Sequence, residues 1–183
     1  MNPAISNIPL KDIGGNARTL REYDGKVVLV VNVASKCGLT PQYEGLEKLY
    51  RDKHARGLEV LGFPANDFAG QEPGTEAEIA SFCSTTYDVT FPMFSKIAVT
   101  GDNTHPLYRE LIRESPPIRG DADDMRAKLV GYGIVPNPAP GVLWNFEKFL
   151  LSRDGRVAAR FAPSITPDDP ALLEAIDAEL ARH

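Results

Sequence analysis

The sequence predicts an α/β fold, a central mixed β-sheet flanked by helices, on three observations. The run Val27-Val28-Leu29-Val30-Val31-Asn32-Val33 is apolar and β-branched, as a strand buried on both faces is. A helical pattern and a second apolar run, Leu58-Glu59-Val60-Leu61-Gly62-Phe63, follow it. Such a β–α–β unit needs a crossover, which leaves its strands parallel. Near the C-terminus two more runs flank Arg153-Asp154-Gly155, a turn signal that joins antiparallel strands.

The elements follow in order. Residues 8–21 read as a short hairpin around Gly14-Gly15-Asn16, and 26–34 as the first long strand. Thr40 as N-cap and Pro41 at the first helical position open a helix that runs to about 55. Tyr43, Leu46, Leu49 and Tyr50 share one face of it. After the strand 58–63, the stretch Pro64 to Gly74 is a loop rich in Pro, Gly, Asn and Asp. Thr75 and Glu78 form a capping box for a helix over 75–86, with Ile79, Phe82 and Cys83 on its inner face. A strand is expected at 94–99 and a helix at 104–114. Residues 115–141 carry many Pro and Gly residues and read as an irregular insert, with a short helix at 122–130. The hairpin strands are placed at 144–151 and 156–161. A last helix over 169–181 starts at Asp168 or Asp169 with Pro170 and buries Leu172, Leu173, Ile176 and Leu180.

The 183 residues suit one domain, with no internal repeat. A net charge of −5, with no basic stripe, argues against a nucleic-acid partner. No stretch approaches the ~18 apolar residues of a membrane span. The N-terminal residues lack the charged and apolar blocks of a signal peptide, so a cytoplasmic location is the expectation. The only two cysteines, Cys37 and Cys83, are 46 residues apart, which excludes a C-x-x-C pair. In a reducing compartment a transient catalytic disulfide fits them better than a permanent structural one. With His54, His105 and His183 scattered, they make a poor zinc site, and no metal or cofactor is implied.

Cys37 is placed where the first long strand stops and the first long helix begins. There the unpaired backbone N–H groups and the helix dipole favour negative charge. That is the setting in which a thiol becomes a nucleophilic thiolate, so thiol redox chemistry leads. Reducing a peroxide with a thiolate needs donors for the sulfur and for the departing oxygen, and a way to reduce the sulfenic acid. Carboxamides and an indole N–H are donors that consume no proton.

Three blocks carry such groups. Asn32-Val33-Ala34-Ser35-Lys36-Cys37-Gly38-Leu39-Thr40 resembles the active-site signature of the glutathione peroxidase family. Gly62 to Gly74, with Asn66-Asp67-Phe68 and Gln71-Glu72-Pro73, resembles the family's second block, and Trp144-Asn145-Phe146-Glu147-Lys148-Phe149-Leu150 its third. The similarity runs from about residue 6 to 180. It implies a thioredoxin-like fold, in agreement with the element order, and a catalytic tetrad of Cys37, Gln71, Trp144 and Asn145. Cys37 is then the peroxidatic nucleophile and the other three supply the donors.

The departures are informative. Cysteine stands where many animal members carry selenocysteine, which implies lower intrinsic reactivity. The second block reads Pro64-Ala65-Asn66-Asp67-Phe68, with Ala65 and Asp67 where most members have Cys and Gln. An inward carboxylate would oppose thiolate formation, so Asp67 is expected to point outward or to be paired. The arginine that follows the nucleophile in the classical glutathione-using enzymes is absent; Pro41-Gln42-Tyr43 occupies that stretch. The insert is as long as that of the classical tetrameric enzymes, which the compact thioredoxin-using members lack, and the oligomeric state stays open.

Cys83, ahead of Phe91-Pro92, resembles the resolving cysteine of the two-cysteine, thioredoxin-using branch. As such it would form a disulfide with Cys37 that thioredoxin reduces. A disulfide requires Cα atoms within about 7 Å, so helix 75–86 is expected to unwind locally after Cys37 is oxidised. Cys83 also reads as a plain core residue. Glutathione as direct reductant, with Cys83 silent, therefore remains an alternative, as does a peroxide sensor that relays oxidation to a partner protein. Hydrogen peroxide and organic hydroperoxides are the implied substrates.

Overall fold

The long apolar runs pair with one another at the centre of the molecule. In the computed structural model, which describes residues 1–183, strand β3 (Val27–Val33) is buried at all seven positions. It lies between β4 (Leu58–Pro64) and β6 (Lys148–Leu151), so both its edges are hydrogen-bonded. The β3–β4 pairing is parallel, from Val27 opposite Leu58 to Val33 opposite Pro64. The β3–β6 pairing is antiparallel, and β6 pairs antiparallel with β7 (Val157–Phe161). Strand β5 (Ile118–Arg119) adds in parallel to β7 and completes the order β4-β3-β6-β7-β5. The mixed sheet is the expected one, and the helices pack around it.

Helix α2 (Gln42–Lys53) is the crossover between β3 and β4. It buries Tyr43, Leu46 and Leu49, the face anticipated from its spacing. Helix α3 (Glu76–Tyr87) opens on the expected capping box. The Thr75 hydroxyl accepts the Glu78 N–H, and the Glu78 carboxylate accepts the Thr75 N–H. Helices α4 (Pro106–Glu114), α5 (Ala122–Gly131) and α6 (Pro170–Ala181) lie where the sequence puts them. The N-terminal hairpin pairs β1 (Leu10–Lys11) with β2 (Ala17–Arg18); a short helix α1 (Pro3–Ser6) before it was not foreseen.

Four expectations need correction. Residues 94–99 form no strand. They touch the β4 edge through the Phe94 N–H bond to the Gly62 carbonyl, next to the isolated Gly62–Met93 bridge, and the Ile97 N–H bond to the Pro64 carbonyl. Pro92 has no N–H to extend a ladder there. The insert is not wholly irregular, because β5 within it extends the sheet. The first hairpin arm begins at Lys148 rather than 144, since Phe146 has φ +68° and interrupts the extended backbone. Thr40 does not cap α2. Tight turns already coil the chain from Cys37 onward, Pro41 is the cap residue, and the Thr40 hydroxyl turns back toward Cys37 and Ala34.

Candidate active site

Cys37 sits in the coiled segment between β3 and α2, with 9% of its surface exposed. Its backbone N–H donates to the Thr40 hydroxyl at 3.0 Å, and that hydroxyl donates to the Ala34 carbonyl at 2.7 Å. These bonds fold the loop so that the Leu39 N–H donates to the Cys37 sulfur at 3.3 Å. The thiol therefore lies in the strand-to-helix position anticipated for it.

The three donor residues come from two other loops. The Lys36 N–H donates to the Gln71 carbonyl at 3.0 Å, which ties the Gln71 loop to the residue preceding Cys37. The Asn145 carboxamide donates to the Gln71 side-chain oxygen at 2.9 Å. So Gln71 and Asn145, 74 positions apart, form one hydrogen-bonded pair, and its outer member is the Gln71 NH₂ group. Trp144 precedes Asn145, and its ring lies 5.2 Å from that of Phe68. The Gln71 nitrogen and the Trp144 indole nitrogen spend no hydrogen bond inside the protein. Neither donates to the Cys37 sulfur, whose one such partner is Leu39.

Buried polar groups hold the Trp144 turn. Asn32, in the middle of the valine run, donates to the Trp144 carbonyl at 3.0 Å and accepts the Phe146 N–H on its own carbonyl at 2.6 Å. Glu147 accepts the Leu143 N–H at 3.1 Å and pairs with Arg160 at 2.7 Å, both side chains being buried. Lys148 donates to the Phe146 carbonyl at 2.7 Å. Sequence reasoning singled out none of Asn32, Glu147 and Lys148. The available signal was polarity inside runs otherwise reading as buried strand.

Asp67 is exposed and its carboxylate accepts the Val99 N–H at 2.6 Å, so it is paired, as anticipated. Next to Gln71, Glu72 is buried, and burial pushes its carboxyl up, partly offset by Ser35.

Cys83 is not joined to Cys37; both thiols are free. It is buried in α3 near Tyr43, whose hydroxyl has no well-formed hydrogen bond. Burial pushes the Cys83 thiol up to about 11, and nearby Glu72 adds to the shift while the Tyr43 hydroxyl opposes it. A cavity of about 270 Å³ lies between Ser35 and Lys36 on one side and Ile79 and Phe82 of α3 on the other. The segments bearing the two cysteines thus face a common space.

A thioredoxin-like fold with a thiol after its first long strand, a backbone N–H aimed at its sulfur and the Gln71 loop tied to the preceding residue, defines a class: thiol-based redox enzymes. Comparison with known proteins narrows it. The family described as glutathione peroxidase matches residues 5–112. The chain is 49% identical to the thioredoxin/glutathione peroxidase BtuE of Escherichia coli over the whole of both chains. It is 42% identical to the hydroperoxy fatty acid reductase gpx1 of Synechocystis over 93% of each. Among solved structures, Trgpx in apo form superposes with a TM-score of 0.70 at 35% identity, covering 97% of this chain and 96% of that one. The chain belongs to the glutathione peroxidase family and is a thiol peroxidase. No helix is long and apolar enough to cross a membrane.

Proposed function

We propose that the chain reduces hydrogen peroxide and organic hydroperoxides through Cys37, and that Cys83 and thioredoxin complete the cycle. The Cys37 thiolate attacks one peroxide oxygen and breaks the O–O bond. The sulfur becomes sulfenic acid, and the departing oxygen takes a proton and leaves as water or alcohol. Gln71, Trp144 and Asn145 supply the hydrogen bonds that stabilise the charge moving from sulfur to oxygen. The observation that carries this reading is the Leu39 N–H aimed at the Cys37 sulfur, in a loop that the Lys36 N–H ties to the carbonyl of Gln71, the residue paired with Asn145.

In the second step the Cys83 thiol attacks the sulfenic sulfur. An S–S bond forms, and the sulfenic oxygen leaves with the thiol proton as water. Two thiols of thioredoxin, in the cytoplasm, then reduce the disulfide. The name of the Escherichia coli relative and the missing arginine after Cys37 support thioredoxin. The name of the Synechocystis relative supports organic hydroperoxides. One observation favours the rival in which glutathione reduces the sulfenic acid directly: Cys83 is held as a buried, protonated thiol inside a helix.

The test is mass spectrometry at timed intervals after one equivalent of peroxide. The expected sequence is a gain of one oxygen on Cys37, then loss of water as the bond to Cys83 forms. A sulfenic acid that persists until glutathione is added would establish the rival.

A further inference from the structure

Lys148 is a fully buried lysine on the first position of β6. Its ammonium donates to three neutral oxygens: the Gln42 side chain at 2.7 Å, the Phe146 carbonyl at 2.7 Å and the Pro163 carbonyl at 3.2 Å. Gln42 also donates to the Pro163 carbonyl at 2.8 Å, which closes the cluster. Each oxygen belongs to a different segment. Gln42 is the first residue of α2, directly after the coiled loop of Cys37. Phe146 ends the turn that carries Trp144 and Asn145, at the positive φ that side chains rarely adopt. Pro163 follows β7.

An ammonium has three N–H donors, and here three acceptors meet them; a neutral amine has two. The carboxylates around it are committed elsewhere. Glu147, the neighbour on β6, holds Arg160 and the Leu143 N–H. Asp169, at the start of α6, accepts the Ala171 N–H. Both favour the charged form from a distance, and Arg160 offsets Glu147.

We propose that Lys148 is a positioning residue for the peroxide step: its charged ammonium clamps the start of the nucleophile's helix to the turn bearing the indole and carboxamide donors. This rests on the reading of Trp144 and Asn145 as donors. Losing the proton removes one donor and the charge that strengthens the other two, and the strained turn loosens. Burial pulls this lysine from 10.5 down to about 7, so the release falls in an accessible range. Displacing a reacting group by about 1 Å can cost about 100-fold in rate.

The sign of the stability effect is opposite. The unfolded lysine keeps its proton to about 10.5 and the folded one to about 7, so between these values the unfolded state binds more protons. Lys148 deprotonation therefore makes stability rise while the rate falls. A lysine serving structure alone would leave the rate unaffected.

The experiment measures the rate constant of Cys37 oxidation from about pH 6 to 9 in wild type, Lys148→Met and Gln42→Glu. Trp144 is the only tryptophan, and its fluorescence is followed first without peroxide. The wild type is expected to show a fluorescence change centred near pH 7 and a rate that drops roughly tenfold above it. Lys148→Met should be slow throughout, with neither the pH-linked drop nor the fluorescence change. Gln42→Glu places a carboxylate beside the ammonium and should move both transitions up by about one to two pH units. A folded Lys148→Met that keeps the wild-type rate and its drop overturns the proposal. So does a Gln42→Glu profile that superposes on wild type, which serves even if Lys148→Met does not fold. A wild type inert to peroxide would instead defeat the peroxidase reading, and the peroxide-free titration would still judge the clamp.

Discussion

The surroundings of the two cysteines are built from opposite materials. Cys37 lies in a coiled loop with a backbone N–H aimed at its sulfur, and the Lys36 N–H ties that loop to the Gln71 carbonyl. Cys83 lies in the middle of α3, with Tyr43 and Glu72 close by, and burial keeps its proton on. One thiol keeps a sliver of exposed surface. The other is buried inside a helix, so the proposed second step calls for its helix turn to open. The contrast teaches that the two steps of the proposed cycle draw on different local structure: a backbone donor at Cys37, and a buried helical thiol at Cys83.

Substitution of each cysteine is the largest test of that contrast. Cys37→Ser is expected to abolish peroxide consumption, a loss of at least about 1,000-fold, because an alcohol is a far weaker nucleophile than a thiol. Cys83→Ser should keep the rate of Cys37 oxidation within about twofold and lose thioredoxin-driven turnover. Stopped-flow peroxide consumption and a coupled thioredoxin assay separate the two. Unchanged thioredoxin turnover in Cys83→Ser would remove Cys83 from the cycle.

A smaller effect is expected from the donors on the Cys37 side. Trp144→Phe keeps an aromatic ring against Phe68 and deletes only the indole N–H. The oxidation rate of Cys37, read by mass, should fall roughly 100-fold, the usual loss for one preorganised donor. A change below about threefold would make Trp144 a packing residue.

How far each region was legible follows from how its signal is written. The β3 and β4 runs announce themselves because buried parallel strands are apolar at every position. The Thr75–Glu78 box and the inner face of α3 were readable for the same local reason, and so was the burial of Cys83. Gln71, Trp144 and Asn145 were singled out only through the resemblance of whole blocks. No spacing rule connects Gln71 to Asn145, because their hydrogen bond depends on how two distant loops dock. Thr40 was misread as a cap because its sequence context fits one. Lys148 was overlooked because a lysine in a strand ordinarily marks the solvent face, and its buried acceptors come from three separate segments.

Alkaline pH sharpens the comparison from the Cys83 side. The thiol ionises near 9.0 when unfolded and near about 11 when folded. Between those values the folded state holds more protons, so stability is lost as pH rises. Full linkage over this interval is worth about 2 kcal/mol. Urea unfolding at pH 8 and pH 11 should show wild type losing about that much more than Cys83→Ala. Equal losses would mean that Cys83 is not held in its buried, protonated state.

The finest test addresses the helix that confines Cys83. Thr75→Ala deletes the hydroxyl that caps α3 and leaves the Glu78 N–H without its partner. Such a cap is typically worth about 1 kcal/mol. Where the loss falls on opening of α3, the population with Cys83 released grows about fivefold. Disulfide formation after peroxide should then accelerate by a similar factor, while oxidation of Cys37 keeps its rate. Timed alkylation of the residual Cys83 thiol gives the first rate and loss of the Cys37 thiol gives the second. An unchanged rate of disulfide formation in a measurably destabilised variant would mean that opening of α3 does not limit the second step, and the proposed division of labour between the two cysteines would fail at that point.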